Sequence, residues 1–408
     1  MLRPPWVVLR TYATDDHTNI TPAIISKLGI QLHSQPGHPL TTVKNLVESQ
    51  FSDYAHLSSF SPLVTPAKNF DELSFPPDHP GRAVTDSYYV NRGLMLRTHT
   101  SAHEVEVFAQ GHDKWLLTAD VYRRDEIDAS HFPVFHQMEG ARLFPTGSRG
   151  LQELKKDNAI LEKALSLENI KIEDNTSITP ENPYQDVHDP YEAQAVTTNL
   201  KLSLNALMLR LFAGAGGISR QNPLHVRWIE AFFPFTSPSY EVEVFFQGKW
   251  LEILGCGVVR HSTLDRANIH GKIGWAFGLG LERIAMILYS IPDIRLFWSN
   301  DARFLSQFTP GKISTFQPYS KYPPCYKDVS FWLPPTGLHD NDVCDLVRVV
   351  AEDFAENVER TDSFSHPKTK RNSVCYRINY RSLSNAEANE IHSRVKSRLV
   401  EQFGVEIR

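Results

Sequence analysis

The chain has 408 residues, 41% of them apolar and 22% charged, which excludes a disordered or fibrous protein. That length suits two or three domains, each large enough for its own core. The net charge of −5 excludes a protein that coats nucleic acid by bulk charge, so any RNA partner must be met by local basic patches.

Residues 1–12 carry Arg3 and Arg10, and no acid precedes Asp15. With Trp6-Val7-Val8-Leu9 between the arginines, this reads as a mitochondrial targeting leader, with a cleavage site after Tyr12; a frayed terminus that lacks acids is the alternative. No apolar run reaches the roughly 18 residues that a membrane span needs. Cys256, Cys325, Cys344 and Cys375 form no CxxC pair and imply neither a zinc knuckle nor a disulfide framework.

Thr41-Thr42 opens an amphipathic helix with Val43, Leu46, Val47 and Phe51 at helical spacing. A proline-rich connection follows, then strands over Trp115–Tyr122 and Phe132–Glu139 separated by a polar loop. Residues 150–199 combine a charged helix with a polar tract holding Pro180, Pro183 and Pro190, and read as a surface insertion. Strand signals return at Leu224–Phe233 and Tyr240–Phe246, and Gln247-Gly248 reads as a hairpin turn into Trp250–Leu254. A glycine-rich segment then leads into the apolar helix Leu281–Leu288. Residues 301–313 read as a linker. The remainder, 314–408, has the βαββαβ order of a ferredoxin-like domain. The whole is α+β: an antiparallel sheet flanked by helices over 20–300, plus that C-terminal module. Neither a Walker loop nor a dinucleotide fingerprint is present, so an ATP site needs another design.

Four segments carry chemistry together: Arg97-Thr98-His99-Thr100-Ser101, Val121-Tyr122-Arg123-Arg124-Asp125 through Phe135-His136-Gln137-Met138-Glu139-Gly140, Phe232-Phe233-Pro234-Phe235, and Gly274-Trp275-Ala276-Phe277-Gly278-Leu279-Gly280-Leu281-Glu282-Arg283. A strand arginine followed by an aromatic on the return strand offers a guanidinium for a phosphate and a ring for a purine. The glycines let backbone approach a ligand, and Arg283 adds a cation at a helix start. Glu252, in an otherwise apolar strand, reads as a ligand for Mg²⁺ or for polar groups, with a solvated outward position as the rival reading.

These segments, with Pro76-Pro77-Asp78-His79-Pro80-Gly81-Arg82, resemble the motifs of class II aminoacyl-tRNA synthetases, and more closely the phenylalanyl-tRNA synthetase family in its monomeric mitochondrial form. The resemblance implies ATP-dependent attachment of L-phenylalanine to tRNA(Phe) through a phenylalanyl-adenylate, by a Mg²⁺-using monomer of the mitochondrial matrix. Arg123 and Arg283 are then catalytic and bind ATP together with Asp125, His131, Phe135, Glu252, Gly278 and Gly280. Family enzymes commonly carry glutamate where Asp125 stands, so adjacent Glu126 is an alternative contact. His131 meets the phosphates or is a solvated loop residue. His99, Ser101, Gln137 and Glu139 form the polar end of the phenylalanine site; Phe233, Phe235, Ala276 and Phe277 form its aromatic end. Lys368, Lys370 and Arg371, with Arg394, Lys396 and Arg398, are the cations available to tRNA. Two other classes share some of these features: a synthetase-like RNA-binding protein with altered chemistry, and an adenylating enzyme with a non-tRNA acceptor.

Overall fold

The computed structural model describes residues 12–213, 218–299, 301–318, 325–381 and 383–408. All but the last residue of the expected leader therefore lies outside the described residues. Among those described, no helix is long and apolar enough to cross a membrane.

An eight-stranded sheet organises the first three quarters of the chain. In chain order its strands are β1 (Ala55–Leu57), β2 (Lys114–Tyr122), β3 (Val134–Pro145), β4 (Ile170–Asp174), β5 (Leu224–Ala231), β6 (Thr236–Phe246), β7 (Lys249–Val259) and β8 (Lys272–Gly280). Their spatial order is β1-β2-β3-β8-β7-β6-β5-β4. The interior pairs are antiparallel, while the edge strands β1 and β4 each join in parallel. At the expected β6–β7 turn, Gln247 and Gly248 both take positive φ (49° and 84°), the geometry that matches strand twist in a two-residue hairpin.

One sheet face is covered by α1 (Pro39–Gln50), α2 (Ser148–Leu165), α3 (Pro190–Phe212) and α4 (Leu281–Tyr289), which share the largest apolar core. The segment expected as a surface insertion is part of this core. Its strand β4 completes the sheet edge, and Leu154, Ala193, Ala195 and Val196 are buried in that core. The prolines do punctuate a loop, but Pro190 is the first residue of α3, with the Asp189 carboxylate accepting from the Tyr191 and Glu192 N–H groups. The apolar stripe of α3 runs past residue 199, so a boundary there cuts through one helix.

The expected linker 301–313 is likewise built in. Phe304 is fully buried against Phe297, Phe308 and Phe316, because an i, i+4 aromatic pair closes the bottom of the core.

The C-terminal unit has β9 (Cys325–Trp332), α5 (Asp340–Ala351), β10 (Ala355–Ser365), β11 (Asn372–Tyr380), α6 (Asn385–Phe403) and β12 (Glu406–Ile407). Its strand order is β10-β11-β9-β12, with a separate core. A capping box between Ser384 and Glu387 starts α6, and Gly404 at φ 63° ends it. The unit packs on the loop after β2: Arg124 bridges Asp342 (2.8 Å) and Asp345 (2.7 Å), while Arg348 donates to the carbonyls of Asp125 and Glu126.

Phe304→Ala is expected to lower stability by about 3–5 kcal/mol, as for other buried aromatics. Urea unfolding measures this; a change below about 0.5 kcal/mol, as for an exposed linker residue, would contradict the packing described.

Candidate active site

Opposite the helices, the sheet floors a cleft of about 900 Å³. Cross-strand pairing runs Glu139 on β3, Gly278 on β8, Gly255 on β7 and Glu241 on β6, so these four share one face. A Cβ added at Gly278 or Gly280 would meet no atom within 4 Å, which leaves bare backbone for a flat ligand. At Gly255 the same atom would come within 2.6 Å of the Phe233 ring, so glycine is required there for a different reason.

One half of the cleft is cationic. Arg123 follows β2; its Nε donates to the Thr98 carbonyl (2.8 Å), and its guanidinium lies 5.3 Å from the Phe135 ring. Arg283, at the start of α4, faces it across the glycines and sits 3.3 Å from the Glu252 carboxylate. Glu252 is half exposed and lines the cleft. Asp125 also lines it and Glu126 does not. His131 reaches the rim bonded to Asp128 (2.7 Å); burial would depress its pKa, but Asp128 and Asp125 raise it overall. For Mg²⁺ the donor set is chemically suitable. Glu241, Glu243 and Glu252 offer hard oxygens of the kind Mg²⁺ takes, with Arg227 already paired to Glu243 and Arg283 to Glu252.

Behind Phe135 and Gln137, the intervening His136 points to the helix side. There its Nδ1 lies 2.6 Å from buried Glu282, which also accepts the His136 backbone N–H (2.8 Å). That contact fixes the start of α4, and hence Arg283, against β3.

Beside Gly255, beyond the residues that line this cleft, aromatic rings form a second cluster. Phe233 stacks on Phe235 (5.9 Å), Phe235 meets Phe75 (5.9 Å), and Phe75 stacks on His99 (5.6 Å). Burial, then the charge of Arg123, lowers His99 to about 3, so its ring is neutral. Glu139 is buried beside Thr100 and Ser101; although their side chains act to lower it, burial pushes it up to about 7. Gln137 accepts the Thr100 N–H (3.2 Å). Ala276 lies on the cleft face, but Phe277 does not. Alternation turns Phe277 to the helices, where it is buried and stacks on Phe51 (5.6 Å), so its expected place in the phenylalanine cradle is corrected.

The two basic clusters separate. Lys368, Lys370 and Arg371 lie in the turn between β10 and β11, while Arg394, Lys396 and Arg398 lie on α6, across the sheet.

Residues 25–147 and 150–308 match the family described as tRNA synthetases class II core domain (F), and 320–408 match the ferredoxin-fold anticodon binding domain. The chain is 42% identical to phenylalanine–tRNA ligase, mitochondrial, of Saccharomyces cerevisiae, over 97% of this chain and 93% of that protein. It is 44% identical to the ligase of the same name from Mus musculus, over 98% and 88%. The phenylalanine–tRNA ligase alpha subunit of Synechocystis is 31% identical over 66% of each chain. The chain belongs to the class II phenylalanine–tRNA ligases.

Two cleft residues of this ligase escape reasoning from sequence. Phe75 joins the ring wall from a loop, where no periodicity reveals orientation. Glu104, the first residue of the short helix Glu104–Ala109, is fully buried with both oxygens unpartnered. Burial, then the charge of Glu139, raises it well above the carboxylate range, so it stays protonated. In sequence, a buried acid at the first position of a helix looks like any charged first turn.

A carboxyl raised in the fold is protonated below its pKa and cannot then pair with an ammonium. Phenylalanine-dependent kcat/KM is therefore expected to fall as pH drops through about 7. The same shift makes the folded state hold a proton that the unfolded chain releases, so it costs stability as pH rises from about 4.5 to about 7. Glu139→Gln should lose activation yet melt higher than wild type at pH 8, with the gap closing at pH 5; thermal melts at both pH values check this.

Proposed function

We propose that this ligase joins L-phenylalanine to tRNA(Phe) in two steps within the one cleft, and that it works as a monomer in the mitochondrial matrix. The observation that carries the reading is the continuity of two chemistries: paired cations over a glycine floor, running into an aromatic-walled pocket that ends in an anionic group.

In the first step the phenylalanine carboxylate attacks the α-phosphorus of ATP, and pyrophosphate leaves. Arg123 holds the α-phosphate and the charge that builds on it, and adenine stacks between Phe135 and Arg283. Phosphoryl chemistry of this kind depends chiefly on positioning and charge stabilisation, so fixed guanidiniums suffice as catalysts. Glu252 would hold Mg²⁺, which supplies neutralisation of the phosphates when bound. Glu139, Gln137 and Ser101 take the ammonium, neutral His99 adds no repulsion there, and Phe233 and Phe235 receive the ring edge-on or offset. In the second step a hydroxyl of the terminal tRNA ribose attacks the acyl carbon, and AMP leaves as the mixed anhydride breaks. Excluding water from the ring pocket protects that anhydride from hydrolysis.

Phenylalanine-dependent ATP–pyrophosphate exchange followed by transfer to tRNA(Phe) tests the reading. Arg123→Ala should reduce exchange by a hundredfold or more, on the scale of about 10²–10³ for one lost transition-state donor. Exchange without amino-acid preference would sink the substrate assignment; exchange without transfer would instead favour a non-tRNA acceptor.

A further inference from the structure

Buried polar atoms without a hydrogen-bond partner gather on one short segment and the strand beside it. They are both ring nitrogens of His99, both carboxyl oxygens of Glu104 and Oε2 of Glu139. Glu104 and Glu139 are themselves almost fully buried. Buried polar groups are nearly always bonded, so a cluster of exceptions marks a place where a ligand supplies the missing bonds.

Local geometry brings the two acids together. Thr100–His103 form a tight turn that runs directly into the helix Glu104–Ala109, and the Thr100 N–H on Gln137 (3.2 Å) ties that turn to β3. Ser101 and Glu104 are three residues apart there, a spacing at which side chains leave from the same side. Ser101 stands beside Glu139, so Glu104 is aimed at the same acid. Apart from Leu117, the neighbours of Glu139 on that sheet face are Ala119 of β2, Ala141 of β3, and Ala276 and Gly278 of β8. Small residues there leave room for a ligand over the acid.

No cation among the described residues offsets the pair. Burial, then the charge of Glu139, raises Glu104, and burial raises Glu139. The charge of Arg123 falls on His99, which stays neutral. His103 and Glu106, on the same turn as Glu104, are engaged with each other (3.3 Å), and Glu106 also with Lys68 (2.9 Å). An ammonium carries one positive charge and several N–H donors. Two ionised acids would meet it with one charge too many, and two neutral acids with none. A pair of close carboxyls that keeps one proton matches it.

We infer that Glu104 is a further binding residue for the amino-acid substrate: with Glu139 it forms a pair that keeps one proton and turns one negative charge to the ammonium. The Glu104 hydroxyl donates to the free Oε2 of Glu139, and its other oxygen accepts an ammonium N–H. Glu104 thereby adds a bond without adding a charge, and substrate binding displaces only a proton held by Glu139. This inference rests on the ligase reading and adds to it a residue and a protonation state.

The test uses the full-length protein carrying Glu104→Gln or Glu104→Leu. The readouts are KM for phenylalanine and for ATP in pyrophosphate exchange, and calorimetric binding of phenylalanine in two buffers of different protonation enthalpy, which counts released protons. Binding of 3-phenylpropanoate, which has the ring and carboxylate but no ammonium, is measured alongside. Glu104→Gln keeps a donor and an acceptor, so phenylalanine KM should stay within about threefold of wild type, with equal proton release. Glu104→Leu should raise phenylalanine KM about ten- to hundredfold, the scale of one lost bond to a charged group, and leave KM for ATP unchanged. It should also narrow the preference for phenylalanine over 3-phenylpropanoate by the same factor, while a melting temperature no lower than wild type reports an intact fold. Unchanged phenylalanine KM in Glu104→Leu, an equal loss in Glu104→Gln, or one more proton released by wild type than by Glu104→Gln would each overturn the pair. Wild-type protein that exchanges with another amino acid overturns the phenylalanine assignment instead. The same variants then judge the pair with that amino acid, because the ammonium is common to both.

Discussion

The cleft depends on a contact buried in its back wall. His136 and Glu282 meet on the helix-covered side of the sheet, both almost fully buried, and His136 also stacks on Trp298 at 5.7 Å. Each is the sequence neighbour of groups that face the other way: Phe135 and Gln137 beside His136, Arg283 beside Glu282. A strand reverses direction at every residue, so fixing His136 from behind also fixes the ring and the amide in front. Pinning Glu282 likewise sets the first turn of α4 and the direction in which Arg283 leaves it. One buried polar contact thus sets the separation between two ligand-facing walls, without occupying any of the space between them.

The front face obeys the complementary constraint. A cleft for a flat molecule needs backbone rather than side chains at its floor, and Gly278 and Gly280 provide that. Gly255 leaves room instead for the Phe233 ring. The polar end of the pocket works against stability. Glu104 and Glu139 are buried with no counter-cation among their described partners; burial raises both, and the charge of Glu139 raises Glu104 further. Unpaired buried acids are costly, and proteins keep such groups where a ligand supplies the missing charge. In the ligase reading that charge is the ammonium of phenylalanine.

Much of this was legible in the residues. Alternation in Tyr240–Phe246 and the Gln247-Gly248 signal are local properties, and the hairpin follows from them. The spacing between Arg123 and Phe135 identifies a strand, a loop and a return strand, and the structure joins these residues to Glu252, Gly278 and Arg283. What failed was parity and boundary. Phe277 stands between two cleft residues, and only the register of β8 against β3 shows that it faces the helices. Residues 150–199 look peripheral because their first half is polar, yet the apolar stripe of α3 begins at Ala193 and continues to Phe212. Phe304 and Phe308 form too short a pattern to be told from a linker until Tyr289 and Phe316 close around them. Glu104 is legible only through burial, which a sequence does not display.

Net charge is a poor guide to RNA binding in this fold because the sheet sorts its charges by face and by position along each strand. In the ferredoxin-like unit two groups of acids show this. Asp342 and Asp345 neutralise Arg124, and Asp345 also pairs with Arg348, at the contact with the catalytic domain. Asp328, Glu359 and Asp362 line the middle of the sheet face away from α5 and α6. Both groups count toward the −5, yet neither reaches the turn where Lys368 and Lys370 stand. At an ionic strength where charges are screened beyond about 8–10 Å, a phosphate at that turn experiences the local cations and little of the total.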